Sequence, residues 1–540
     1  MKQMISECTT GEPKNTTQTG SMIAVTAFLL IGLFACLLIG LSACLLTGCE
    51  SDRTTLSRNV ILISLDTLRS DFLGCYGNPT IRTPWIDALS QQGIVCADHH
   101  ANSNWTLPSH VSMLTSQYAA DHHIVYDNRP LPDSANTLAE SYRQAGYRTG
   151  GFYSVQYFAP DLNLCQGFDT MEEYDFVHGA GPQRVIQWLN TASGYPYFLF
   201  LHSFEPHAPY GGYREYRQTA RGQSLRNLPE FDQFTRNVEQ GSAIATWRDF
   251  REAMLMMLLG FRKGHDRHDP AIQEMVRTMT SAQIRLWKDA GEVPISDVLD
   301  PWFASDLFHP DTQALIDNYR LRIEYSDRAL GHLLQDLYRL DCFDRTMICV
   351  TSDHGEAFFE HGHVYGHGGN RRDVIDPHLT ADSSFHWEEI ATPMILWNAP
   401  FSPKPHIQLG LTCSLDVMPT LLAQTRMEAP ATVHGIDVTQ SISPERYTVV
   451  ENQRTVRRAI ITSDWKLIVG SGPPELYDRG ADPGETVNMG LRTGEYAPDV
   501  SEAFDVWCQG RILRFAPDDV LVDPELRQNL QMLGYLHAPE

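Results

Sequence analysis

The sequence predicts an α/β fold: a parallel central sheet sandwiched by helices. Three observations predict it. Asn59-Val60-Ile61-Leu62-Ile63-Ser64-Leu65-Asp66-Thr67 and Thr346-Met347-Ile348-Cys349-Val350-Thr351-Ser352-Asp353-His354-Gly355 are apolar, largely β-branched runs that end in a carboxylate. Such runs read as buried parallel strands, because a strand covered on both faces has no polar side to alternate with. From Asn59 onward strand patterns alternate with helical ones, which favours crossover connections. Residues 317–340 form a long amphipathic pattern, with Ile323, Leu330, Leu333, Leu334 and Leu337 on one side, that leads into the second run.

Taken in order, residues 1–49 read as a targeting segment outside the fold. Met22 to Leu46 carries no charge, and about 25 helical residues at ~1.5 Å each would cross the ~30 Å hydrocarbon layer, so a retained membrane helix is one reading. Leu46-Thr47-Gly48-Cys49 resembles a bacterial lipobox, with Leu41-Ser42-Ala43-Cys44 a second candidate, and lipidation at Cys49 followed by cleavage is the preferred reading. Either one puts the protein outside the cytoplasm, held to the membrane by a lipid anchor or the N-terminal helix. Lys2 and Lys14 are offset by Glu7 and Glu12, a weak basic signal for export.

Residues 57–425 read as the main domain. Asn136 to Gly146 is a helix closed by glycine, followed by a strand over Arg148 to Ser154, and Tyr197 to His202 is another apolar strand. Residues 213–311 form a helical insertion, including the methionine-rich patch Phe250 to Phe261. The insertion is read as a cap shaping substrate access or as a peripheral decoration. Pro393 to Trp397 is a further strand. In residues 426–540, Arg458-Ala459-Ile460 with Trp465-Lys466-Leu467-Ile468 reads as a hairpin, Glu475 to Asp478 as its turn-rich partner, and Leu526 to Leu536 as a closing helix.

A net charge of −24 and a pI near 5.2 argue against nucleic acid or an anionic membrane surface as the main partner. Four of the 11 cysteines, Cys8, Cys36, Cys44 and Cys49, fall in the targeting segment. The rest show no metal-ligand spacing, so buried free thiols are expected.

The chemistry centres on Asn104-Trp105-Thr106-Leu107-Pro108-Ser109-His110. Pro108 suits the first helical position, which places Thr106 just ahead of a helix N-terminus, where backbone N-H groups stabilise an anion or a deprotonated hydroxyl. Open α/β sheets bind ligands beyond the carboxyl ends of their strands, so Asp66, Asp353 and His354 are expected at one rim. With the Thr106 oxygen they supply three oxygen ligands and one imidazole for a divalent cation.

At these residues the chain resembles the sulfatase family of the alkaline phosphatase superfamily. Matching segments are Asp66-Thr67-Leu68-Arg69-Ser70-Asp71, Gly74-Cys75-Tyr76-Gly77, Thr83-Pro84-Trp85-Ile86-Asp87, the Thr106 turn, Leu201-His202, Pro206-His207-Ala208-Pro209-Tyr210, Ser352 to Glu356 and Glu360-His361-Gly362. The resemblance implies an alkaline phosphatase-like fold, with a mixed, mostly parallel central sheet sandwiched by helices and a smaller C-terminal α+β subdomain, and a metal-assisted hydrolase of sulfate or phosphate esters. It also implies that His207, His122 and His367 contact ester oxygens or assist the leaving group, with His110 at the place of the family's arginine. His202, His361 and His363 are candidates for supporting that set. Family members carry Cys or Ser at the Thr106 position and oxidise it to formylglycine; a threonine β-carbon bears a methyl and could yield only a ketone. The hydroxyl itself is therefore the expected nucleophile, as in phosphoethanolamine and phosphoglycerol transferases, which keep a transferase reading open beside the hydrolase and beside a non-catalytic binding protein. Thr67 stands where calcium-dependent relatives often carry a second Asp, so the single cation is left as calcium, manganese or zinc. The expected substrate is a small-molecule, glycan or lipid ester; the oligomeric state is not readable.

Overall fold

The computed structural model describes residues 58–124, 129–177, 181–207, 312–358, 360–362, 366–368, 385–400, 405–452, 457–469, 474–489 and Ala503. The targeting segment, the 213–311 insertion, His363 and the closing helix lie outside the described residues. The strands are β1 (Asn59–Leu65), β2 (Gly93–Cys96), β3 (His99–His100), β4 (Arg148–Tyr153), β5 (Thr170–Glu173), β6 (Tyr197–Ser203), β7 (Thr346–Thr351), β8 (Met394–Trp397), β9 (His406–Gln408), β10 (Thr412–Cys413), β11 (Thr448–Asn452), β12 (Arg457–Ile461), β13 (Trp465–Val469) and β14 (Glu475–Asp478).

Eight of them form the central sheet in the order β5-β4-β6-β1-β7-β8-β2-β9. All neighbours pair in parallel except that β8 runs against β7 and β2, which makes the sheet mixed and mostly parallel as expected. The two acid-tipped runs are the adjacent strands β1 and β7, and every residue of both is buried. Burying side chains such as Val60, Ile61, Leu62 and Ile63 stabilises the fold by about 1.5–3 kcal/mol each before entropy is counted. Ser64 pairs with His202 of β6 on one side and with Thr351 of β7 on the other. That register delivers Asp66, His202 and Asp353 to one rim.

The helices are α1 (Pro84–Ser90), α2 (Thr106–Thr115), α3 (Ala119–His122), α4 (Leu138–Gln144), α5 (Gly181–Thr191), α6 (Thr312–Arg339), α7 (Trp387–Ile390) and α8 (Val417–Ala423). Thr137 and Glu140 close a reciprocal capping box on α4, and Gly146 just past it takes a φ of +84°, which explains the glycine at its end. Asp327 of α6 accepts hydrogen bonds from the first-turn amides of Trp85 and Ile86 in α1. Beside it Gly331 lies so close that a Cβ would come within 2.3 Å of the Trp85 ring. These contacts fix the long helix against α1.

The C-terminal strands form a separate antiparallel sheet, β11-β12-β13-β14. Strand alternation sends Val449, Ile460, Leu467 and Leu476 into one cluster with Tyr118, Cys413 and Leu415, and Val450, Ala459, Ile461, Ile468 and Tyr477 into another with Phe385, Ile390 and Leu411. Both faces are thus covered by residues of the larger domain, and the sheet belongs to the same compact unit. The six described cysteines are free.

Candidate active site

Helix α2 starts at Thr106 itself, with Trp105 as an extended residue before it, so Pro108 falls at the third helical position rather than the first. The cost is nil, because the first four amides of a helix have no partner within it. Thr106 is fully buried, and its Oγ1 lies 3.3 Å from His354 Nε2. His354 Nδ1 donates to its neighbour's carbonyl, Gly355 O, at 2.9 Å, which fixes the proton on Nδ1 and leaves the Nε2 lone pair directed at the rim. That nitrogen is 3.3 Å from Asp353 Oδ2 and 3.7 Å from Asp66 Oδ1. The ligand atoms of Asp66, Asp353 and His354 all lie within 4.8 Å of one another. The four residues expected to share one ion therefore converge.

Their electrostatics fit a cation. Asp66 and Asp353 are completely buried, and Asp66 Oδ1 and Asp353 Oδ2 accept no hydrogen bond. Burial, with the carboxylates of Asp353 and Glu356 alongside, holds the Asp66 carboxyl well above its usual range, and burial likewise raises Asp353. Burial and the neighbouring His367 push His354 far below the normal imidazole value. His354 is thus a neutral donor rather than a salt-bridge partner, and a divalent ion would replace the missing countercharge. The backbone beside these carboxylates is strained. Thr67 has a φ of +58°, unusual for a β-branched residue, while its amide donates to Asp353 Oδ1 and its carbonyl accepts from Tyr319 Oη.

Two histidines brace this set from behind. His202 Nδ1 accepts from the Ser154 amide, so its Nε2 donates to Asp66 Oδ2 at 3.1 Å. His110 Nδ1 donates to Thr106 O at 2.9 Å, and Ser64 Oγ donates to His110 Nε2 at 2.9 Å. With both nitrogens engaged and no exposure, His110 holds the Thr106 turn. His207 and His367 do meet, with ring centroids 4.9 Å apart, and the His367 ring is 4.1 Å from that of His354. Buried Glu356 orients His367 through a 3.0 Å bond to Nδ1.

Among the described contacts, His122 meets α2 rather than this group. The short helix α3 folds back on α2, so His122 Nε2 meets Ser112 Oγ at 3.1 Å and Nδ1 accepts from the Ile124 amide.

The Sulfatase family model matches residues 58–427. The chain belongs to the sulfatase family. This places the sulfatase fold among enzymes that hydrolyse sulfuric or phosphoric esters. It is 23% identical over 515 residues to an N-acetylgalactosamine-6-O-sulfatase of Bacteroides thetaiotaomicron, spanning 83% of this chain and 92% of that one. A multifunctional alkaline phosphatase superfamily protein of Trinickia caryophylli is 21% identical over 70% of this chain and 76% of its own. Among solved structures, a protein in complex with its substrate D-glucosamine-2-N,6-O-disulfate superposes with a TM-score of 0.57 at 19% identity, covering 84% and 97% of the two chains. The phosphonate monoester hydrolase of Agrobacterium radiobacter gives 0.55 at 19%, covering 83% and 95%.

Against this sulfatase background, reasoning from sequence gave no role to Glu356, to Ser64, or to the chain Asn452-Asn104-Glu389, in which Asn104 Oδ1 accepts at 2.8 Å and its Nδ2 donates at 2.6 Å. Glu356 closes the Ser352 to Glu356 match, so the signal was present. The other partners come from β1, α7 and β11, far apart in the chain.

Proposed function

We propose that this sulfatase-family chain is an extracytoplasmic, divalent-cation-dependent hydrolase of phosphate esters that uses Thr106 as its nucleophile. The single observation that carries the reading is the buried convergence of the Thr106 hydroxyl with His354, Asp66 and Asp353. Asp66, Asp353, His354 and Thr106 would hold the cation. It supplies Lewis-acid polarisation of the hydroxyl and of the ester oxygens when bound. The helix N-terminus beneath Thr106 adds favourable field at the oxygen. Attack would form an Oγ1–P bond as the bond to the departing oxygen breaks, with one of the imidazoles of His207 and His367 taking the Thr106 proton and the other protonating the departing oxygen. His110 and His202 keep the turn and the Asp66 carboxylate in position.

Phosphorus is favoured because a threonine ester, unlike a hydrated aldehyde, has no second hydroxyl to expel the bound group by elimination. Release then requires water to attack the central atom, the usual fate of a phosphoryl ester. Sulfate esters stand as the second reading, supported by the relatives named sulfatases. Small-molecule, glycan and lipid esters are the substrate classes, and lipidation at Cys49 would hold the enzyme at the membrane.

The test is a panel of chromogenic phosphate, phosphonate and sulfate esters, run with chelator-stripped protein reloaded with calcium, manganese or zinc. Turnover of a phosphorus ester that depends on added cation and releases free product is the expected result. Product found attached to an acceptor alcohol would make the enzyme a transferase, and no turnover with any metal would overturn the reading.

A further inference from the structure

The proposed chemistry uses no group of the C-terminal sheet, yet the sheet's edge strand β11 is bonded to both sides of the Thr106 pocket. Two asparagines lie just before the nucleophile. Asn102 Nδ2 donates to Val449 O at 2.8 Å and to Thr448 Oγ1 at 3.1 Å, and Asn102 O accepts from the Glu451 amide at 2.9 Å. Asn104, two residues from Thr106, accepts at Oδ1 from Asn452 Nδ2 at 2.8 Å and donates from Nδ2 to Glu389 Oε2 at 2.6 Å. The segment that enters α2 is therefore bonded along β11 from Thr448 to Asn452. Asn452 ends that strand, is buried, and gives its amide a second acceptor, Gly368 O at 3.0 Å. Gly368 directly follows His367. A Cβ on it would come within 3.1 Å of Trp105 Cβ, so the His367 turn packs straight onto the nucleophile turn. One side-chain amide thus joins the backbone beside His367 to the side chain beside Thr106.

We propose that Asn452 is a positioning residue that sets Thr106 and His367 relative to each other, which makes the C-terminal sheet part of the catalytic frame. The proposal rests on the Thr106 reading above. A planar amide directs its two N-H bonds at a fixed angle, so two acceptors held by one NH2 group cannot drift apart independently. Thr106 carries the attacking oxygen and His367 an imidazole that moves a proton, and transfer between them depends on that spacing. The loop of the cation ligands joins the same frame. Gly355 N donates to Glu389 O at 2.7 Å and Glu356 N to Glu388 O at 2.9 Å, so Glu389 holds that loop through its backbone and Asn104 through its side chain. Leucine at position 452 fills a similar volume and donates to neither acceptor. A misplacement of about 1 Å in such an arrangement costs roughly 100-fold in rate.

The experiment compares Asn452→Leu, and the milder Asn452→Ser should leucine prevent folding, with Tyr477→Phe, which removes a side-chain hydrogen bond from the far strand of the same sheet. Each full-length, cation-loaded protein is assayed on a phosphate ester and its amide hydrogen exchange is read by mass spectrometry. Asn452→Leu should lower kcat by about 10–100-fold with KM within about twofold of wild type, the pattern of an interaction felt in the transition state. Tyr477→Phe should keep the wild-type kcat whatever it loses in melting temperature. Exchange should quicken in the Asn452 variants in peptides carrying the Ser109 and Gly366 amides, which are bonded to Trp105 O and Ala357 O, and stay unchanged over β12 and β13. An unchanged kcat in the Asn452 variants, or an equal loss in Tyr477→Phe, would overturn the proposal. A wild type that turns over no ester would sink the proposed reaction instead and leave exchange to decide. Protection at Ser109 and Gly366 that is unaltered, or lost equally over β12 and β13, would then overturn the positioning role.

Discussion

Replacing His202 by phenylalanine tests whether cation binding depends on the residues behind the ligands. The ring fits among Phe158 and His110, whose centroids lie 5.3 and 5.0 Å away, so packing changes little. What is lost is the 3.1 Å bond from Nε2 to Asp66 Oδ2, inside a site with no exposure. A hydrogen bond to a charged group contributes about 1.5–3 kcal/mol, which corresponds to roughly 10–150-fold in an equilibrium constant. Losses on removing the partner of a metal ligand are typically about 10–100-fold. His202→Phe should therefore weaken calcium or manganese binding to chelator-stripped protein by about 10–100-fold, measured by calorimetric titration. His202→Gln, which keeps an amide donor of similar reach, should recover most of the loss. Affinity unchanged in the phenylalanine variant would refute the reasoning, because Asp66 would then need no fixed donor behind it.

Two further predictions concern the nucleophile and α6. Thr106→Ala removes the reacting oxygen and one methyl, so steady-state turnover should fall below detection while stability drops by only about 1–2 kcal/mol in urea unfolding; Thr106→Ser should retain activity. Burial pushes the Asp327 carboxyl up to about 7 against its two amide donors. An acid raised in the folded state adds stability that is full below its unfolded value near 3.8 and lost as pH rises through about 7, at most roughly 4 kcal/mol. Asp327→Asn should flatten the fall in melting temperature over that window; an unchanged slope would show that other groups set it.

Much of the fold was legible because β1 and β7 are buried on both faces and so read as unbroken apolar runs ending at Asp66 and Asp353. The central sheet's β9, only three residues from His406 to Gln408, offers no such period. The meeting of Asp66, Thr106, Asp353 and His354 was legible because each member follows a strand or opens a helix, positions that a mostly parallel sheet brings to one rim. The histidines were harder. His122 and His110 occupy positions that the family resemblance ties to the ester, yet where a ring points depends on tertiary neighbours. The fold-back of α3 turns His122 to Ser112, and Ser64 on β1 captures His110. His361 joins His386 across 25 residues of sequence and Glu388 across 27. No local pattern announces that meeting.

The most direct measurement of the central claim is mass spectrometry of enzyme quenched in acid during turnover of a phosphate ester, followed by mapping of the peptide that carries Thr106. A phosphoryl group on Thr106, absent from Thr106→Ala and from unreacted protein, is the result this account predicts. Sustained turnover by the Thr106→Ala enzyme, or a phosphoryl group trapped on a different residue, would contradict it.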